Sequence, residues 1–113
     1  MQAIQTNQDL DRLQNHVDSI AKDLIEGLEG VKNEDDEPMS AYDYLEGCLD
    51  IHWILNNDRS YRGARVLVAF GGPNIWIDTE KGIVDGYWWG DHATASFTDN
   101  IGLDDALETL FNC

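Results

Sequence analysis

Few residues of this chain could hold a metal or begin a covalent reaction: His16, His52, His92, Cys48, Cys113 and the carboxylates beside them. A zinc centre draws on three or four His, Cys or carboxylate ligands, commonly with two at short spacing. No two of the histidines are spaced that way. A small metal-dependent enzyme using His52, Asp91 and His92 is therefore kept only as an alternative. Cys48 and His52, four residues apart, have the types of a nucleophile and its base. They straddle a change from helical to alternating periodicity, however, and a cysteine within an apolar helical pattern is ordinarily a small core residue. Gly71-Gly72-Pro73 would suit a phosphate cradle if a helix N-terminus followed. An alternating, strand-like run follows instead, so the segment reads as a hairpin turn. The expectation is a protein that is not an enzyme, with no catalytic residue, no metal and no cofactor.

Charge is more informative than any of these groups. Residues 1–50 hold thirteen carboxylates against Arg12, Lys22 and Lys32, a net −10; residues 51–113 hold nine against four cations, a net −5. The total of −15 and a pI near 4.1 disfavour direct binding to nucleic acid, which requires Lys and Arg to neutralise phosphates. Anionic membrane surfaces are disfavoured by the same sign. On a helix, Asp23, Glu26 and Glu29 would stand about 5–6 Å apart along one edge, close to the spacing of phosphates along a strand. Glu34, Asp35, Asp36 and Glu37 extend the series. Such a surface can occupy a basic groove; the alternative is a solvated face that keeps the protein soluble. Aromatic residues supply a second signal. Neighbours on a strand point to opposite faces, so if Val84 and Trp88 face the core, Tyr87 and Trp89 face away, with Trp76 joining them if the register allows. An exposed Trp/Tyr cluster is a common interface anchor.

The elements that must position these residues follow from periodicity. Leu10, Leu13, Val17, Ile20, Leu24 and Leu28 draw one stripe along a helix spanning 7–29, weakened and then stopped by Gly27 and Gly30. The stripe faces the core or, alternatively, forms a dimer seam. Residues 31–38 form a solvated acidic loop. Ser40 and Asp43 read as a capped start to a helix of about three turns ending near Asp50, with Tyr42, Leu45, Cys48 and Leu49 on its apolar face. The period then becomes two. Ile51, Trp53 and Leu55 make one strand; Ala64, Val66, Val68 and Phe70 mark the next; Ile75 to Asp78 and Ile83 to Trp89 follow, with Ala93 to Phe97 as a fifth, shorter edge strand. Leu103, Ala106, Leu107, Leu110 and Phe111 trace a C-terminal helix. The predicted fold class is α+β: an antiparallel four- or five-stranded meander with two N-terminal helices and one C-terminal helix on one face. One domain over 1–113 is expected, divided into an acidic helical part (7–50), a β-meander (51–97) and a C-terminal helix (102–112). The predicted core is Leu13, Val17, Ile20, Leu24, Leu45, Val66, Val68, Ile75, Ile77, Leu107 and Leu110.

Forty-two per cent hydrophobic residues with four Trp, four Tyr and three Phe places the chain among folded proteins despite its charge. With no long apolar run and no basic, apolar leader at residues 1–10, the expected compartment is the cytoplasm. Two cysteines make no disulfide framework and are expected to be free thiols.

Tyr42-Asp43-Tyr44-Leu45, the run from Gly71 through Trp76 and Asp78 to Thr79, and Tyr87-Trp88-Trp89-Gly90 resemble a group of small acidic proteins of phages and integrative elements. The resemblance covers about residues 40–97 and carries no activity. It implies a mobile-element setting in a bacterial host, where small acidic proteins are often inhibitors of host defence, including anti-CRISPR proteins and DNA mimics. The expected function is a non-enzymatic inhibitor or adaptor, monomeric or homodimeric, that docks its acidic N-terminal half on a basic, nucleic-acid-binding protein. Trp76, Tyr87 or Trp89 would serve as its apolar anchor.

Overall fold

A computed structural model describes residues 7–28 and 30–113. Five strands form one antiparallel sheet in sequential order: β1 (Asp50–Leu55), β2 (Tyr61–Ala69), β3 (Asn74–Asp78), β4 (Ile83–Trp88) and β5 (Asp91–Ser96). This order follows from the links, since connections of two to five residues can only join antiparallel neighbours. Gly82, at φ 68°, supplies the left-handed residue in the β3–β4 turn. The α+β meander is as the sequence predicts, and Ala93 belongs to a full fifth strand paired along β4.

Helix α1 (Asn7–Glu26) lies across β4 and β5, α3 (Leu103–Phe111) packs on β2, and the short α2 (Ala41–Glu46) touches α3. All three helices therefore serve one face of the sheet. The buried stripe of α1 is Leu13, Val17, Ala21 and Leu24, set against Ile75, Ile77, Val84 and Ala93. Gly86 sits directly beneath it. A Cβ there would stand 2.6 Å from Val17 Cγ2 and 2.9 Å from Leu13 Cδ1, so the missing side chain is what lets helix and sheet approach. Leu13, Val17 and Leu24 of the predicted stripe are thus buried within a single chain, while Leu10 is exposed and Ile20 partly buried.

Several boundaries and core assignments differ from the sequence reading. Helix α1 ends at Glu26, where Gly27 adopts φ 89° and closes the last turn with its N–H on the Asp23 carbonyl. Helix α2 has the predicted capping box, with the Asp43 N–H donating to Ser40 Oγ and the Ser40 N–H to Asp43 Oδ2. It stops at Glu46, well short of Asp50. Its buried residues are Ala41 and Leu45, while Tyr42 and Leu49 are exposed. A bulge in β2 between Leu67 and Ala69 breaks the alternation, so Phe70 leaves the strand and is 71% exposed. Leu110 is exposed too, whereas Ile20 and Val68 are only partly buried. Helix α3 is led in by Asp99, whose carboxylate accepts the N–H groups of Leu103 and Asp104, an N-terminal partner not foreseen from the sequence.

Candidate functional site

The acidic segment is built rather than merely solvated. Asn33 Oδ1 accepts the N–H groups of Asp35 and Glu37, and its amide donates to Asp43 Oδ2 at the start of α2. The Asn33 N–H also donates to the Glu37 carbonyl, and Lys32 pairs with Pro38 in an isolated bridge. Asp36 occupies the left-handed region at φ 61°, which an aspartate tolerates better than most residues. The result is a closed loop that holds Glu34, Asp35, Asp36 and Glu37 outward, all four exposed. One cation, Lys32, lies 3.9 Å from Asp36. Three donors, with the Ser40 N–H first, then the Asn33 amide and the Ser40 hydroxyl, hold the Asp43 carboxyl below the usual carboxylate range.

Asp23 and Glu26 are exposed on the last turns of α1, with Glu26 3.8 Å from Lys22. The helix ends there, so the regular series of helical charges does not run on, and Glu29 lies outside the described residues.

The sheet face opposite the helices holds a cluster that spans all five strands. In register, His52 of β1 stands across from Arg65 of β2, Arg65 from Asp78 of β3, Trp76 from Asp85 of β4, and Tyr87 from His92 of β5. Their side chains lie over one another. The His52 ring centroid is 4.8 Å from that of Trp76, and the Arg65 guanidinium is 4.9 Å above the Trp76 ring, a cation–π contact. Arg65 reaches Asp78 at 3.9 Å and Asp85 at 3.7 Å. His92 Nε2 lies 3.0 Å from Asp85 Oδ1, and the Tyr87 ring stacks on His92 at 4.5 Å with 3° between planes. His52 is held in turn by Asp50 at 3.0 Å. Asp78 and Asp85 are only 3% and 7% exposed although no helix covers them; the flat-lying arginine and rings do the covering. The cluster is short of hydrogen bonds: Arg65 Nε is buried without an acceptor among the described residues.

The predicted anchors separate on this geometry. Trp76 and Tyr87 share the open face, as expected, with Trp76 half-buried under Arg65 and His52. Trp89 does not join them. Strand β4 ends at Trp88, and Trp89 with Gly90 forms a two-residue turn to Asp91, with φ 54° and 88°. Both central residues in the left-handed region is the I′ pattern, normally given to Asn, Asp or Gly. A tryptophan there is 79% exposed and is held in a sparsely populated conformation that costs about 1–2 kcal/mol.

The residues weighed for catalysis do not converge. Cys48 lies partly buried just beyond α2, where burial, and less strongly the charge of Asp50, push its thiol up, away from the thiolate a nucleophile needs. His52 faces the other side of the sheet. Asp91 and His92 are adjacent on β5 and so point to opposite faces. No set of three His, Cys, Asp or Glu among the described residues is placed to hold a metal ion. No helix of the described residues is long and apolar enough to cross a membrane. The sequence reading missed Asp50, Arg65, Asp78 and Asp85 as members of a site. The available signal was charge inside strands: Arg65 between Ala64 and Val66, and Asp85 between Val84 and Gly86, must face away from the core. Set against known protein families, curated proteins and solved structures, the chain matches none.

Proposed function

We propose that this protein is a non-enzymatic binding protein that docks on a basic, nucleic-acid-binding protein surface and masks it. The observation that carries the reading is the Asn33-centred loop. Four consecutive carboxylates are exposed and held by hydrogen bonds, and a charged surface that is already ordered loses less conformational entropy on binding than a floppy one. Opposite potentials would speed encounter, while exposed aromatics such as Tyr87 and Trp89 would slow release. The resemblance to mobile-element proteins favours a target in bacterial defence, with the acidic surface acting as a nucleic-acid mimic and the protein as an inhibitor of the anti-CRISPR kind. The test is affinity capture from bacterial lysate at low and physiological salt with the parent protein and the triple variant Asp35→Lys, Asp36→Lys, Glu37→Lys. Recovery of a nucleic-acid-binding protein by the parent and its loss with the variant is the expected result. Capture indifferent to the reversals reduces the acidic surface to a solubility device and refutes the proposal.

A further inference from the structure

Deepening that reading and resting on it, we propose that the uncovered face of the sheet is the receptor for an arginine side chain of the basic partner, seated beside Tyr87 and His92 against Asp85. Around Arg65 the face gathers the carboxylates of Asp50, Asp78 and Asp85, more negative charge than that one guanidinium balances. Asp85 and Asp78 are also held unevenly. One oxygen of each is engaged, Asp85 Oδ1 with His92 and Asp78 Oδ1 with the Lys81 N–H. The second oxygen of each faces Arg65, at 3.7 Å for Asp85 and 3.9 Å for Asp78, beyond hydrogen-bonding range. A carboxylate oxygen that its neighbouring cation does not reach can still accept a charge-assisted hydrogen bond from an arriving donor.

The chemistry of that donor is indicated by what already lies there. Arg65 rests its guanidinium over Trp76 between two aspartates, so this face accommodates a planar, weakly hydrated cation between an aromatic ring and a carboxylate. Toward β5 the same two parts recur. The Tyr87 ring, 42% exposed, lies on the same face as Asp85, with one side stacked on His92 and the other left for a cation. A second guanidinium on that ring would gain a cation–π contact and a charge-assisted hydrogen bond to Asp85 Oδ2. An ammonium gains the charge but not the stack or the fork. A protein segment bearing arginine is therefore the occupant, in keeping with a basic partner.

The experiment uses the full chain, isotopically labelled, titrated at physiological salt with nona-arginine and separately with nona-lysine, and followed by amide and indole NMR shifts. The expected result is that nona-arginine shifts Asp85, Tyr87, His92 and the Trp76 indole, binds at least several-fold more tightly than nona-lysine, and is weakened about five- to tenfold by Tyr87→Leu or Asp85→Asn. Because the mapping is made first on the unaltered chain, a variant that fails to fold leaves the question decided. Shifts confined to residues 23–37, or equal affinity for the two peptides, overturn this inference while leaving the acidic-surface reading standing. No binding of either peptide overturns both.

Discussion

Replacing Gly86 by alanine tests the central packing of the molecule. The added methyl would fall 2.6 Å from Val17 Cγ2 and 2.9 Å from Leu13 Cδ1, well inside contact distance. Val17 is β-branched and cannot swing away within a helix, so the overlap must be relieved by lifting α1 or distorting β4. Overpacking of this kind costs about 1–3 kcal/mol. With an unfolding entropy of about 2.1 cal/mol/K per residue, 2 kcal/mol lowers Tm by about 8 °C at this size. The partner change Val17→Ala removes two methyl groups, about 0.8 kcal/mol each before any cavity term. Made together, the two changes should be less damaging than their sum, because the alanine methyl at 86 enters the space that Val17 vacates. Urea unfolding followed by tryptophan fluorescence would give all three free energies, with slopes checked for a common denatured state. A Gly86→Ala variant within about 0.5 kcal/mol of the parent, or two changes that add with no coupling beyond that margin, would mean that α1 and β4 are not in close contact at Gly86.

Three further outcomes are expected. Asn33→Ala should leave Tm within about 2 °C while sharply raising amide exchange at Asp35 and Glu37, whose N–H groups lose their acceptor; unchanged protection there would mean that the loop holds itself. Burial, and secondarily the charge of Asp23, push the Tyr44 hydroxyl up to about 12. A raised folded value means that this stability is complete below pH 10 and is lost as pH rises toward 12. Burial and the bond to Asp104 push the Tyr61 hydroxyl up further still, so tyrosinate absorbance should show two late-titrating groups, of which Tyr44→Phe removes the earlier. Stability should also rise as salt goes from low to physiological levels, where charges of one sign are screened beyond about 8 Å; a flat Tm would show that the excess carboxylates are locally compensated.

Features carried by one local pattern were legible in the sequence. Leu13, Val17 and Leu24 recur at helical spacing, Ser40 and Asp43 stand three apart before an apolar pair, and short polar links between alternating runs leave a meander as the natural arrangement. What was misread turns on single backbone events. A bulge at Leu67 shifts the phase of β2 and expels Phe70, and an unconventional turn residue places Trp89 at a hairpin tip instead of on the strand. The cluster on the open face was beyond reach for a different reason. His52, Arg65, Trp76, Asp85 and His92 are well separated along the chain, and only the combined register of four strand pairs, each able to slip by a residue, brings them together.

The order of the strands also bears on how the chain is made. Every strand pairs with its neighbour in sequence, so the sheet can zip up hairpin by hairpin with little loop entropy to overcome at each step. Helix α1 is the exception: it leaves the ribosome before any of the strands, yet its resting place on β4 and β5 is made only after the other three. Until β4 and β5 emerge its leucine and valine stripe has no sheet to lie on, and exposed apolar surface of that kind invites aggregation. The carboxylates that crowd the rest of the helix and the loop behind it would then serve the nascent chain as a repulsive sheath, long before any partner is met.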